Sequence, residues 1–362
     1  MKFFIETIGC QMNICDSDAL SETLKSAGAI KVSALTDADI AIINTCSVRA
    51  QAEQKAYSWL GRAEEFKKEN PHVKIAVIGC MAERIAPKIK RRFKSVNLII
   101  GSKKIDNAAA KILQLETAKS QLPVNPGIEA VNFTTPDTVS YLTIMRGCDN
   151  YCSYCVVPFV RGREVSFDSE KIINDCKKLA ANGAQEIMLL GQNVNSYKYN
   201  DVTFAKLLRE IVKIKELKRL TFMTSHPKDL SDELIDAMAN EPKIRKYIHL
   251  PMQSGSDKIL NLMNRKYSYA HYKNLIKKLR DKVANINITS DIIVGFPGET
   301  EEDFLETLQA VEDIKFNALY IFKYSPRPNT KAAQMKDDVS LQEKKRRHNV
   351  ILELAKRQNN NA

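Results

Sequence analysis

The feature that most constrains this chain is a repeated alternation of short, β-branched apolar runs with helical patterns, which starts at the N-terminus, lapses once and then restarts. Strands are expected at Phe3–Ile8, Asp39–Asn44, Lys74–Ile78 and Asn97–Ile100, with amphipathic helices around Asp18–Ser26 and Ala50–Lys68. That order is the signature of βαβ units, so residues 1–116 should form an α/β domain on a parallel sheet. Residues 117–140 lose the pattern, collect three prolines and read as a linker. From Tyr141 the alternation resumes, with strands at Leu142–Arg146, Glu186–Leu190, Arg219–Thr224, Tyr247–Leu250, Ile286–Val294 and Ala318–Lys323, and helices such as Ser169–Ala181 and Glu301–Asp313. Six βα repeats over 141–325 predict an open (β/α)6 barrel rather than a closed eight-stranded one. A basic helical tail, 326–362, should follow.

No run approaches the apolar length of a membrane span, and the start MKFFIETIGC passes directly into polar sequence, so neither a span nor a signal peptide is expected. The cytoplasm is the expected compartment. It is reducing, and eight cysteines there argue for metal or redox chemistry rather than a disulfide framework. The net charge of +12 is uneven: the last 40 residues hold ten Lys or Arg against four acids, half of the excess. Such a cluster either steers a polyanion such as RNA or forms a solvated helix face, and charge alone leaves both open. A Gly-x-Ser-x-Gly elbow and a Walker loop are absent, which argues against hydrolase and nucleotide-hydrolysing chemistry.

The segment Arg146-Gly-Cys-Asp-Asn-Tyr-Cys-Ser-Tyr-Cys155 sets three thiols at CxxxCxxC spacing on a loop directly after the first barrel strand. Random placement of eight cysteines would supply that spacing about 0.004 times. A closed zinc site wants a fourth ligand, and none is near in sequence: Cys176 lies in a helix pattern and His226 is distant. Three thiolates on a four-iron cluster leave one iron open to bind a small molecule. Cys10, Cys46 and Cys80 each follow an apolar strand. In a parallel sheet those strand ends share one edge, so the three thiols, 36 and 34 positions apart, can converge on a second cluster with an open iron. Buried packing explains one such cysteine easily and three poorly. Cys15 and Cys176 are assigned to packing.

The CxxxCxxC loop resembles that of the radical S-adenosylmethionine (SAM) superfamily. The whole chain resembles the MiaB branch of its methylthiotransferases through Gly9-Cys-Gln-Met-Asn13, Asn44-Thr-Cys-Ser-Val-Arg49, Ala52-Glu-Gln-Lys55, Leu60-Gly-Arg62, Cys155-Val-Val-Pro-Phe-Val-Arg-Gly-Arg-Glu164, Gly191-Gln-Asn-Val-Asn-Ser-Tyr197 and His249-Leu-Pro-Met-Gln-Ser-Gly-Ser256. The resemblance implies two 4Fe–4S clusters, one on Cys148, Cys152 and Cys155, the other on Cys10, Cys46 and Cys80, and two SAM molecules per turnover. It implies methylthiolation of C2 of N6-isopentenyladenosine at position 37 of tRNA, with an external electron donor such as flavodoxin, a sulfur source and a monomeric enzyme. Sibling branches act on a ribosomal protein or on threonylcarbamoyladenosine tRNA. From another class, a non-catalytic metal-dependent RNA-binding protein remains open.

In the superfamily an aromatic residue before the third cysteine packs near the adenine of SAM; Tyr154 holds that position, or serves loop packing. By position at strand ends, Gln192, Asn193, Ser225, Gln253 and Asp291 are candidates for SAM contacts, or else turn and helix caps. Arg161 and Arg163 could meet a phosphate or the substrate backbone, or pair with neighbouring acids. Relatives usually continue into a small RNA-binding TRAM domain; this chain stops at Ala362, so no complete TRAM domain is expected.

Overall fold

The computed structural model describes residues 1–47, 50–115 and 139–360; all but the last two residues of the expected 117–140 linker lie outside them, as do Val48 and Arg49. The first unit is a parallel sheet of β1 (Lys2–Ile8), β2 (Ile30–Lys31), β3 (Ile40–Thr45), β4 (Lys74–Gly79) and β5 (Leu98–Gly101), in the order β2-β1-β3-β4-β5. Every residue of β3 is buried, because helices cover both faces, and its sequence is accordingly apolar without alternation until Asn44. Ile40 and Ile42 pack with Leu20 and Leu24 of α1 (Gln11–Ser26), whereas Ala41 and Ile43 pack with Trp59 and Leu60 of α2 (Ala50–Glu69) and Ile89 of α3 (Cys80–Arg92). Helix α1 starts seven residues before the expected Asp18. Its first turns carry buried polar side chains, Asn13, Asp16 and Ser17, which hide the apolar periodicity.

The second unit carries six parallel strands in chain order. β6 (Ser140–Thr143), β7 (Glu186–Leu190) and β8 (Arg219–Phe222) form one run; β9 (Tyr247–His249), β10 (Asn287–Val294) and β11 (Ala318–Lys323) form the other. The two runs meet through a single bridge between Leu220 and Ile244. β11 does not close on β6, so the barrel is open, with one continuous apolar core from Leu142 to Ile351.

The C-terminal helix α4 (Leu341–Asn360) is docked rather than free: Ile351 is in the barrel core, and Lys344 and Arg347 are buried. Lys344 pairs with Asp337 at 2.6 Å, Arg347 with Glu299 at 2.9 Å and Glu343 at 2.7 Å, Arg346 with Glu301 at 2.5 Å, and Lys356 with Glu353 at 2.8 Å. Four of the tail's nine cations are therefore engaged in holding the helix to the barrel and to itself, which leaves the tail a weaker polyanion surface than its composition indicates.

Candidate active site

The loop from Cys148 to Cys155 is built by a sharp turn after β6. Gly147 sits at φ +77°, where a side chain is strained, and a Cβ there would strike the carbonyl oxygen of Arg163. The Cys148 amide donates to Gly162 O at 3.3 Å, the Cys155 amide to Cys152 O at 2.9 Å, and the Asn264 amide group to Asn150 O and Tyr151 O at 3.2 and 2.9 Å. Cys148 and Cys152 are buried and Cys155 is half-buried. Burial, followed by the neighbouring Cys152, pushes the Cys148 thiol up to about 11 and the Cys155 thiol up to about 12. Thiols pushed up as Cys148 and Cys155 are ionise only beside a cationic partner, which the irons of a thiolate-bound cluster supply. One cation is already present: Arg265 Nη1 donates to Cys152 Sγ and to Tyr154 Oη, each at 3.4 Å. Tyr154 also packs on Ile259, Met263, Phe296 and Tyr324.

Among the described residues no three His, Cys, Asp or Glu side chains gather tightly enough to hold a single metal ion. An iron–sulfur cluster asks for something else: each thiolate binds its own iron on a cube, so the sulfurs surround the group instead of converging on one point.

At the carboxyl ends of the next strands the polar candidates share one property. Gln192 Oε1, Asn193 Oδ1, Ser225 Oγ and Gln253 Oε1 are buried without a hydrogen-bond partner, as is Nε2 of His226. Buried polar atoms are nearly always paired, so five orphans at one barrel mouth fit a polar ligand there. Thr224 and Gln253 stand at φ +74° and +72°, strain that accompanies ligand sites more often than plain turns. Burial, and then Arg265, lowers the His226 pKa and keeps its imidazole neutral. Asp291 differs: its carboxylate lies 3.5 Å from His249 Nε2, so it has a protein partner.

The second set of thiols is assembled by sheet register. Ile8 pairs with Thr45 and Thr45 with Gly79, so Cys10, Cys46 and Cys80 emerge side by side from β1, β3 and β4. Cys10 caps α1 and Cys80 opens α3, which places both sulfurs at helix N-termini. A hydrogen bond with Cys46 holds the Cys10 pKa below the usual thiol range, with Arg161 helping against the opposing effect of burial; burial raises Cys80. A buried amide pair braces the edge: Asn13 Nδ2 donates to Asn44 Oδ1 at 2.8 Å, and Asn44 Nδ2 donates to Asn13 O at 2.9 Å. Asn13 Oδ1 in turn accepts from the Cys10 amide at 3.3 Å.

The two arginines after Cys155 both pair with acids. Arg163 makes two bonds to Asp149, at 2.8 and 3.0 Å, on the exposed side of the loop. Arg161 is buried and reaches Asp16 at 3.2 Å. Cys15 accepts from Thr143 Oγ1 at 3.1 Å where α1 meets the barrel, and Cys176 is fully buried in the barrel core, as packing cysteines should be. Sequence reasoning missed Asp16, His226 and Arg265, which lie outside any motif of spacing, and gave no role to Arg146 at the head of the cysteine segment. Asn13 and Asn44 stood within motifs already singled out, next to the cysteines.

A parallel α/β sheet joined to an open six-stranded barrel, with three thiols on the loop after the first barrel strand, defines a radical SAM enzyme. Residues 142–311 match the model described as the Radical SAM superfamily, and residues 2–101 match the uncharacterized protein family UPF0004. Three curated proteins named tRNA-2-methylthio-N(6)-dimethylallyladenosine synthase are similar over nearly the whole chain. The one from Endomicrobium trichonymphae is 62% identical, covering 97% of this chain and 83% of its own. Those from Hydrogenobaculum sp. (strain Y04AAS1) and Syntrophobacter fumaroxidans are each 43% identical, covering 98% and 95% of this chain and 84% and 78% of theirs. The chain belongs to this methylthiotransferase family within the radical SAM enzymes. Among solved structures, the radical SAM methyltransferase TsrM from Kitasatospora setae shares the fold at 13% identity, with a TM-score of 0.69 over 92% of this chain and 77% of that one. The cobalamin-dependent radical enzyme OxsB shares it at a TM-score of 0.62 and 12% identity, over 96% of this chain and 56% of that one.

Proposed function

We propose that this chain attaches a methylthio group to C2 of the N6-dimethylallyladenosine at position 37 of tRNA. The observation that carries the reading is the family membership over more than nine-tenths of the chain, joined to two separate thiol triads at strand ends. The C2–H bond of adenine is strong and not acidic, so general acid-base catalysis by side chains does not open it, and a radical route does. A 4Fe–4S cluster with one open iron, when bound, supplies the electron that splits SAM and starts that route.

Cys148, Cys152 and Cys155 would hold that cluster, and Arg265 would offset the charge of Cys152 from behind. Gln192, Asn193, Ser225 and Gln253 would orient SAM through the polar atoms left without partners, with Tyr154 beside the adenine and Asp291 reached through a shift away from His249. Cys10, Cys46 and Cys80 would hold a second 4Fe–4S cluster as the place of sulfur attachment, with a second SAM giving the methyl group. On this reading residues 1–116 are the methylthiotransferase domain, 141–325 the radical SAM domain and 326–362 the tail.

An external reductant such as flavodoxin, a sulfur source, a monomeric state and a cytoplasmic location complete the proposal; among the described residues no helix is long and apolar enough to cross a membrane. Mass spectrometry of tRNA nucleosides from a strain lacking the gene, with and without the gene restored, tests the substrate. Persistence of the methylthio mark without the gene would end the assignment.

A further inference from the structure

The two thiol triads sit on different sheets, and one buried carboxylate joins them. Asp16 lies on α1, six residues after Cys10, and its side chain has no solvent exposure. Arg146 Nη2 donates to Asp16 Oδ1 at 2.8 Å, and Arg161 Nη2 donates to Asp16 Oδ2 at 3.2 Å. Arg146 is two residues before Cys148 and Arg161 six after Cys155, so the carboxylate grips both flanks of the CxxxCxxC loop. The positive charge of Arg161 also acts on Cys80, against the effect of burial there.

The surroundings make the contact specific. The same face of α1 seats Met12 and Cys15 against Leu190, with Tyr141, Met188 and Met223 around them. Nε and Nη1 of Arg146 are buried with no hydrogen-bond partner, and Asp106 is the next acid at 3.9 Å. Among the described residues Asp16 is thus the one short acidic partner of Arg146. Two guanidiniums on one carboxylate leave a net positive charge beside Cys80 and Cys10, the sign that a thiolate-rich site needs. A buried ion pair is a weak source of stability compared with apolar packing, and its best-attested use is to fix register.

We infer that Asp16 is a positioning residue that sets the spacing between the two thiol triads by holding Arg146 and Arg161 at once. The inference rests on the methylthiotransferase reading, because hydrogen removal and sulfur attachment must then occur at the same ring carbon. Both triads must face one substrate position, and a displacement of about 1 Å lowers the rate of a positioned step about 100-fold. Loss of the clamp should therefore uncouple the reaction: SAM is still cleaved, but fewer cleavages end in product.

The test uses the reconstituted chain carrying Asp16→Asn, with Arg146→Gln as a second variant whose target is partly exposed and so less demanding on folding. Two quantities are read: 5′-deoxyadenosine formed per methylthio product, and the distance distribution between the two reduced clusters by pulsed electron paramagnetic resonance. For Asp16→Asn the ratio should rise about tenfold or more, with a broadened or shifted distance; Arg146→Gln should move both in the same direction by less. An unchanged ratio and distance in a folded Asp16→Asn protein, or in Arg146→Gln if the first variant does not fold, overturns the inference. Wild-type protein that holds two clusters but forms no methylthio product would instead refute the functional reading, and the distance measurement would still decide the clamp.

Discussion

The two thiol triads solve the same problem in opposite ways. Cys148, Cys152 and Cys155 belong to one loop, and their neighbourhood depends on a single turn at Gly147, main-chain bonds to residues 162 and 263 and the side-chain amide of Asn264. Cys10, Cys46 and Cys80 are neighbours only because β1, β3 and β4 lie parallel and in register. A local site survives damage to the sheet that carries the other; a distributed site depends on every strand that feeds it.

The largest contrast is expected from the cysteines themselves. Cys152→Ser should reduce 5′-deoxyadenosine formation to background and remove the product with it. Cys46→Ser should abolish methylthiolation and lower iron from about eight to about four atoms per chain, while SAM cleavage continues. Equal loss of SAM cleavage in both variants, measured by chromatography, would break the division of labour between the triads. Gly147→Ala forces a side chain into the left-handed region against Arg163 and should cost about 1–3 kcal/mol locally. Its iron loss should be confined to the barrel triad, which Mössbauer spectra of site-selective cysteine variants would resolve.

Asn44→Ala should act on the other side of the comparison. It leaves the buried Asn13 amide only its longer bond to Thr45 O and removes a brace from the Cys10 edge, at about 1–3 kcal/mol. Denaturant unfolding should register that cost, with methylthio product falling more than SAM cleavage; the reverse order would count against the brace. The smallest effect belongs to Asp303. Burial alone would raise its pKa, but bonds from Lys258, the Thr300 amide and Ser256 lower it from 3.8 to about 2. Because the folded value lies below the unfolded one, the contribution of about 2 kcal/mol is complete above about pH 4. It is lost as pH falls through about 2. Asp303→Asn should therefore flatten the acid limb of barrel unfolding between those values, followed by circular dichroism.

Much of this was legible beforehand. Strands such as Ala318–Lys323 and helices such as Ser169–Ala181 agree with their expected limits to the residue, because amphipathic period and flanking turns are local properties. The six cysteines were legible because their spacing, or their repetition after apolar strands, is improbable otherwise. The first turns of α1 were not, since Asn13, Asp16 and Ser17 are polar residues buried by long-range hydrogen bonds that a periodicity cannot register. Arg265 likewise lies 113 residues from the sulfur it faces.

What the sequence determined by itself is the set of elements and the two groups of thiols, because periodicity and cysteine spacing are written along the chain. Only the tertiary structure decided what those groups touch. Charge composition made the C-terminal helix a candidate for nucleic acid, yet folding turns Lys344 and Arg347 inward onto Asp337 and Glu299. It also brings Asp16 between Arg146 and Arg161, three residues that no spacing connects. Opposite charges buried together must find each other in space, and where they meet is set by how the sheet and the barrel pack, not by their order in the chain.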